Sequence, residues 1–414
     1  MGLAIESDLQ SIDVSDLSLW ENGPPHELFT RLRAEAPVHW SPLNQYPDEA
    51  GFWSITRWAD VDALTKDFET FSSERGGVLL LNDIGLPLEA QQQQMISMDP
   101  PRHDRLKALF QRGFTPARIA QHEERIREIV TRTLDRVAPL GACDLVDDIA
   151  QPVVSRVIGS FIGSDEEDDK KNADRANMIL AFSDEEVTPS FEENAAMIQE
   201  SVTEFMEVLE ERRAEPQDDL ISVLAHAVVD GERLQDFEIF MGIGLLGAAG
   251  NDSTRSTFAS GMLQLLRDED SRRRLIEEPA LIPNAVEECL RCFPAFAHFR
   301  RTAQRDVELH GQRIREGDKV VMWYVASNRD ETVFGDAHTF DIHRELSPKH
   351  QAFGGGGRHF CLGAALARME LKILFEETLR RFPDMELNGT PRYTKSCFVN
   401  QLKEFPVRYA PQTA

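Results

Sequence analysis

Cysteine is scarce in this chain: five in 414 residues, an odd number, at Cys143, Cys289, Cys292, Cys361 and Cys397. That excludes a disulfide framework and points to a reducing compartment. Positive charge is the second shortage. Lys and Arg total 45 against 71 Asp and Glu, a net charge of -26. A chain so charged repels nucleic acid and anionic membrane on average, although a local basic patch stays open to it. Long apolar runs are missing too. The longest, around Met241 to Ala249, is about half of the ~20 residues that span a bilayer. The N-terminus, MGLAIESDLQ, carries acids early and has no basic region ahead of an apolar core, so it does not read as a signal peptide. Glu6 stands where a myristoylation signal requires Ser or Thr. No membrane insertion, no nucleic-acid partner and a cytoplasmic location are therefore expected. There is also no internal repeat and no low-complexity linker. What is present is 41% hydrophobic residues, ample for a large core.

The patterning is mostly helical. Within 115–230, ARIAQHEERIREIVTRTLDRVAPL puts Ile119, Ile126, Ile129 and Leu134 at helical spacing, with Pro139 and Gly141 as the stop. QPVVSRVIGSFIG and SVTEFMEVLEERRAE read the same way, and the charge run DEEDDKKNADRANM between them reads as a solvated face. One long helix is predicted from Leu234 to about Asp268. Residues 307–325 alternate around His310-Gly311, which predicts a hairpin. ALARMELKILFEETLRRF is helical again, from just after Gly363 to Pro383, and strand-like pieces flank an Asn388-Gly389 turn. A mainly α fold with small β hairpins near the C-terminus follows.

The run AFGGGGRHFCLGAALARME is the most informative in the chain. Gly354 to Gly357 free the backbone for positive φ and for close approach to a flat ligand. Cys361 follows, then Gly363, then a helix. A thiol at a helix N-terminus has its thiolate stabilised by the dipole and the free N–H groups, which is what an iron ligand requires. A buried structural cysteine after a Gly-rich turn is the alternative. A phosphate loop would need Gly-Lys-Ser/Thr after the glycines, and none is there. The segment resembles the cysteine motif of the cytochrome P450 family, Phe-Gly-x-Gly-x-His/Arg-x-Cys-x-Gly. Gly357, His359, Cys361 and Gly363 are in register, while Phe353 stands one position early. Some bacterial lipid- and sterol-hydroxylating members resemble this chain in that detail.

Other segments are similar to the family in the same order. Glu288 and Arg291 in VEECLRCFP can pair on one helix face and match the family's Glu-x-x-Arg clamp, where arginine's fork matters. Cys289-x-x-Cys292 lies in the same stretch, but a zinc or redox reading needs a second pair or another context. GLLGAAGNDSTRSTF resembles the central helix motif, with Ala249, Gly250, Asn251, Asp252 and Ser253 at its positions; serine stands where threonine is usual. Glycine inside a helix costs roughly 1 kcal/mol against alanine, so Gly242, Gly244, Gly247 and Gly250 imply a need for room. The resemblance implies that a haem lies against them and that Asp252 and Ser253 relay protons. Gly242-x-Gly244-x-x-Gly247 also fits a dinucleotide fingerprint, which requires a strand before it and a helix starting within it. DPPRHDRLKALF resembles the family's His-x-x-x-Arg helix, with His103 in place and Lys107 where arginine is usual; Arg301 in FRRTA and His359 complete a set for the haem carboxylates.

The resemblance implies one domain over 1–414 with the family's triangular-prism fold, one haem b, and Cys361 as the iron's ligand. Ala249, Gly250, Phe353 and Gly363 would border the haem. Leu245, Ala249, Phe296, Phe299, Phe398 and the segment 78–95 would line a pocket for a hydrophobic substrate: a terpenoid, a sterol or a branched alkyl chain. The implied activity is insertion of one oxygen atom of O2 into a C–H bond. No flavin or iron–sulfur segment is present, so electrons are expected from a ferredoxin and its reductase, docked on Arg112, Arg118, Lys349 and Arg358. Two other classes stay open. One is a haem-thiolate sensor or electron carrier; the other is a nucleotide-dependent dehydrogenase.

Overall fold

Apolar residues recurring every three to four positions have no stable place except on a helix packed against others. The computed structural model describes residues 9–44, 46, 49–80, 87–180, 183, 184, 186, 191–229 and 231–412. Its principal helices are α1 (Arg102–Phe110), α2 (Glu123–Val137), α3 (Gln151–Ile162), α4 (Asp169–Leu180), α5 (Phe191–Ala214), α6 (Asp236–Arg267), α7 (Ile282–Cys292) and α8 (Ala364–Arg381). In α2, Ile126, Ile129, Val130, Leu134 and Val137 form the buried stripe. The helix ends two residues before Pro139, as predicted. α6 is the long central helix, within two residues of its predicted bounds. It opens with a reciprocal capping box between Gln235 and Glu238. Its middle is buried almost all round, from Asn251 to Leu263, because it packs on α3, α4, α7 and α8. Among the described residues no helix is long and apolar enough to cross a membrane.

The strands are short: β1 (Val38–Ser41), β2 (Phe52–Ile55), β3 (Phe71–Ser72), β4 (Ala142–Asp144), β5 (His298–Ala303), β6 (Val307–Leu309), β7 (Gln312–Ile314), β8 (Lys319–Trp323), β9 (Glu386–Leu387), β10 (Arg392–Tyr393), β11 (Leu402–Glu404) and β12 (Pro406–Arg408). The main sheet has the order β1-β2-β8-β5-β3. β8 runs parallel to β2 and antiparallel to β5, with Val320 opposite Arg301 and Met322 opposite Phe299.

Three expectations need correction. The segment 307–325 is not one hairpin. β6 and β7 pair across His310 (φ 50) and Gly311 (φ 76), but β8 leaves to join the main sheet. Asn388-Gly389 closes no hairpin, since β9 pairs with β12 and β10 with β11. Within 115–230, β4 and a π-helical stretch at Leu145–Ala150 interrupt the helices. β4 exists because β12 recruits it as an edge partner, a tertiary cause that local periodicity does not carry.

Candidate functional site

Cys361 lies just ahead of α8 and is held by its own loop. Its backbone N–H donates to the carbonyl of Phe353 at 2.9 Å. Gly354 sits at φ +89, and a Cβ on Gly357 would collide with the carbonyl of Thr65. Lys107 of α1 donates its amine to the carbonyls of Arg358 and Phe360, at 2.9 Å for the latter. Its donors therefore hold the cysteine loop. Burial pushes the Cys361 thiol up. The N–H of Gly363, the charges of Lys107 and Arg368, and the N–H of Ala364 all pull it down. Those N–H groups are the free donors of a helix start. The residue is nonetheless exposed on one side, so the sulfur is enclosed by protein except where the surface opens. Phe353, the residue out of register, packs its ring under the Arg368 guanidinium at 4.6 Å, and Arg368 is held by both oxygens of Glu287.

Glu288 and Arg291 of α7 pair through two bonds, Nε to Oε2 at 2.8 Å and Nη2 to Oε1 at 2.7 Å. Both are completely buried. Arg291 also donates to the carbonyls of Asn328, Ala337 and Thr339. Glu288 accepts from the Asp341 N–H and from Arg344 Nε. The pair thus pins the loop 328–344 to α7. Arg344 escaped sequence reasoning because it stands in irregular chain with no period to mark it.

On α6, Ser253 Oγ donates to the Ala249 carbonyl at 2.7 Å. Asp252 is buried, with Oδ1 accepting from Arg255 Nη2 at 2.7 Å and Oδ2 without a hydrogen-bond partner. Burial pushes the Asp252 carboxyl up, and the Arg255 charge opposes it. Arg255 is shared among Gln151, Asn177 (2.8 Å) and Gln401 (3.0 Å). It was also missed, although it stands three residues after Asp252, the spacing already used for Glu288 and Arg291. The glycines of α6 divide into two kinds. A Cβ on Gly242 would collide with the Phe110 ring, and one on Gly250 would lie 2.9 Å from Ile158. These two allow close packing on α1 and α3. Gly244 and Gly247 would meet nothing within 4 Å. The helix begins at Asp236 and continues through all four, so the dinucleotide fingerprint lacks the helix start it requires.

Arg301 on β5 is 5% exposed. Its Nη1 donates to the carbonyl of Arg300 at 2.7 Å, and no carboxylate pairs with it among the described residues. Asp99 acts on it only at longer range; that carboxylate accepts from Ser72 and from the Ser73 N–H. The His103 and His359 rings touch, tilted at 49° with centroids 4.2 Å apart. Burial pushes His103 below its usual range, against the pull of Asp104, and pushes His359 well below. His103 Nδ1 meets Asp104 at 2.9 Å and His359 Nε2 meets Ser73 Oγ at 3.1 Å.

A family model described as Cytochrome P450 matches residues 168–397, more than half of the chain. The chain belongs to the cytochrome P450 family. Over 98% of this chain it is 34% identical to a methyl-branched lipid omega-hydroxylase of Mycobacterium tuberculosis, covering 96% of that protein. It is also 34% identical to a linalool 8-monooxygenase of Pseudomonas putida, over 97% of this chain and 99% of that one. Among solved structures, Mycobacterium marinum CYP268A2 in complex with pseudoionone superposes with a TM-score of 0.89 and 35% identity, covering 97% of this chain and 99% of that one. The fold is that of the P450s, mainly helical with small sheets.

Members of this family carry a haem ligated by a cysteine thiolate. The residues here fit such a group. The Cys361 sulfur receives helix-start N–H groups, and a buried guanidinium with no carboxylate partner among the described residues stands near two imidazoles in contact. A buried charge is costly unless an opposite charge meets it, and the haem carboxylates would supply that.

The residues expected from sequence to line a P450 pocket come together only in part. Phe296, Phe299 and Phe398 touch one another, with ring centroids 5.3 to 5.6 Å apart. They pack with Leu79, Ala176, Leu180, Ala248 and Val399. Leu245 and Ala249 are half-buried on α6. Ala176 and Leu180 were not foreseen, because small and aliphatic residues on a helix are indistinguishable from ordinary core in sequence. Of the segment 78–95, positions 81–86 lie outside the described residues. Among the basic residues expected to receive a ferredoxin, Arg358 pairs with Asp104 and Arg118 with Asp218. Arg112 and Lys349 are exposed with no ion pair among the described residues.

Proposed function

We propose that this P450 is a ferredoxin-dependent monooxygenase, on haem b bound through Cys361, that hydroxylates apolar molecules of the terpenoid, sterol or branched-alkyl class. The observation that carries the substrate class is the apolar cluster of Phe296, Phe299 and Phe398 with Leu79, Ala176, Leu180 and Ala248. Such a lining favours an apolar body and excludes water. The names of relatives agree in class: a methyl-branched lipid hydroxylase, a linalool monooxygenase and a steroid C26-monooxygenase.

When bound, the haem supplies activation of O2, and thiolate donation favours O–O cleavage. His103, Arg301 and His359 would take its carboxylates. Ala249 and Gly363 would border it, while Gly250 and Phe353 shape that border through α3 and the cysteine loop. The overall change converts R–H, O2, two electrons and two protons into R–OH and water. The chain's own part is to orient the C–H bond and deliver protons. Ser253 O–H donates its hydrogen bond to the Ala249 carbonyl, so its lone pairs are left to accept a hydrogen bond. Asp252 Oδ2 is the atom able to hold a proton behind it. Electrons would enter from a ferredoxin on the exposed face at Arg112 and Lys349. Free cysteines throughout are consistent with a reducing cytoplasm. The Asp252–Ser253 pair favours this reading over a haem-thiolate sensor, which has no use for proton delivery.

The test begins with the reduced, carbon-monoxide-bound protein reconstituted with haemin. A red-shifted Soret band is expected, and Cys361→Ala should abolish it together with turnover. Terpenoid and branched-lipid panels should then produce a low-to-high-spin shift, and product should form with a ferredoxin and its reductase. A colourless protein, or an alanine variant with an unaltered spectrum, ends the proposal.

A further inference from the structure

Tyr324 follows β8 at the point where the main sheet meets the cysteine loop. Its N–H donates to the Ala297 carbonyl at 2.8 Å, continuing the register that sets Val320 opposite Arg301 and Met322 opposite Phe299. Strand alternation then puts Tyr324 on the sheet face that carries Arg301 and Phe299. The ring packs among Val61, Leu64, Val320 and Met322, edge-on to Phe299 with centroids 6.1 Å apart. The residue is only 2% exposed. Its hydroxyl reaches toward the cysteine loop, 3.9 Å from the point where a Cβ on Gly354 would stand. No described residue forms a hydrogen bond with that hydroxyl.

Buried polar groups are ordinarily partnered. Here two donors in one neighbourhood have too few partners: the Tyr324 phenol and the Arg301 guanidinium, close enough to influence each other electrostatically. Arginine donates and does not accept, so Arg301 cannot take the phenol's hydrogen, and no hydrogen bond among the described residues joins the two side chains. Burial pushes the phenol up and Arg301 only partly opposes this, so the group keeps its proton and remains a donor. What completes a buried hydroxyl beside a buried cation is an anionic acceptor. We propose that Tyr324 is a further cofactor anchor, its phenolic O–H donating to a haem carboxylate alongside Arg301. The inference rests on the haem reading above.

Tyr324→Phe keeps the ring and removes only the donor. The rate at which haem passes from the protein to an excess of a haem-scavenging apoprotein should rise about tenfold, as expected for a lost charge-assisted hydrogen bond. The carboxylate bending mode of the haem in resonance Raman should shift. The apoprotein should melt no lower than the parent, because the lost hydroxyl had no protein partner. Haemin dimethyl ester provides the decisive arm. Its carboxylates are capped, so its release should be nearly equal from parent and variant. Unchanged release of ordinary haemin with an unmoved Raman mode overturns the proposal. An equal acceleration for haemin and its ester also overturns it, because the tyrosine then acts by packing. If the parent itself never gives the red-shifted carbon-monoxide band, the haem reading has failed, which is a separate result.

Discussion

Two buried arginines stand close in sequence and differ in almost everything else. Arg291 is completely buried, and the protein meets its charge and its donors with Glu288 and three carbonyls. Arg301 is nearly as buried and has one carbonyl and no carboxylate among the described residues. The first arrangement is closed: every group needed to make the cation tolerable comes from the same chain. The second is incomplete as a protein structure and complete only with an external anion. The difference in burial and partners is what the proposed haem reading requires, with Arg291 serving the fold and Arg301 held for a ligand.

Arg291→Ala should have the largest effect. It leaves Glu288 buried without its main partner and frees three carbonyls of the loop 328–344, and breaking such a pair costs about 3–5 kcal/mol. Thermal unfolding should show this loss equally in apoprotein and haem-loaded protein. Arg301→Met should do the opposite. The apoprotein should keep or gain stability, because an unpaired buried charge is gone, while haem release should accelerate by about 10–100-fold, the loss of a charged hydrogen bond in a dry site. An apoprotein as damaged by Arg301→Met as by Arg291→Ala would erase the distinction.

How much of this was legible depends on where the cause lies. Both ends of α6 could be read to within two residues because its caps and period are local, as is the stop of α2 before Pro139. Cys361 was legible because a thiol between glycines and a helix is unusual chemistry in itself. The fate of β8 was not, since Lys319–Trp323 follows the turn at His310-Gly311 as a hairpin strand would, and only the free edges of β2 and β5 decide its partners. The same holds for Asn388-Gly389, whose flanking strands find partners further along the chain. Lys107 read as a haem cation from its position, and its donors instead meet the carbonyls of Arg358 and Phe360. Charge is visible in sequence, but direction is not. Gly250 teaches the same point: a small residue was evident, but that it faces Ile158 was not.

A third buried arginine lies between the two extremes. Arg255 has Asp252 as counter-charge, but one oxygen of that carboxylate has no partner. Asp252→Asn keeps the shape and leaves Arg255 with Gln151, Asn177 and Gln401. The carbon-monoxide spectrum should change little, while stability should fall because Arg255 loses its counter-charge, though less than in Arg291→Ala since the amide still accepts and three partners remain. Turnover should fall by about 100-fold, the lower end for a lost proton-transfer group, with a larger solvent deuterium isotope effect. A normal rate would class Asp252 with the clamp, as a structural acid.

The smallest effect distinguishes the closed and open arrangements by pH. Burial holds His103 below its ordinary 6.5, with Lys107 and Arg358 adding to the depression and Asp104 opposing it; His359 packs tilted against its ring. Below 6.5 the unfolded chain then carries a proton at this position that the folded apoprotein lacks. Apoprotein stability contributed by the neutral ring is therefore present above 6.5 and is lost as pH falls, by at most about 1.4 kcal/mol per pH unit for one proton. A carboxylate seated beside the ring would raise its folded value and close that gap. Haemin binding should accordingly take up protons, which calorimetry in buffers of different ionisation heat can count, and His103→Phe should reduce the uptake. Arg291 cannot produce the signal, since its guanidinium stays charged throughout this range. If uptake is the same in the variant, the histidine belongs with the satisfied groups of the fold, and the open side of the comparison rests on Arg301 alone.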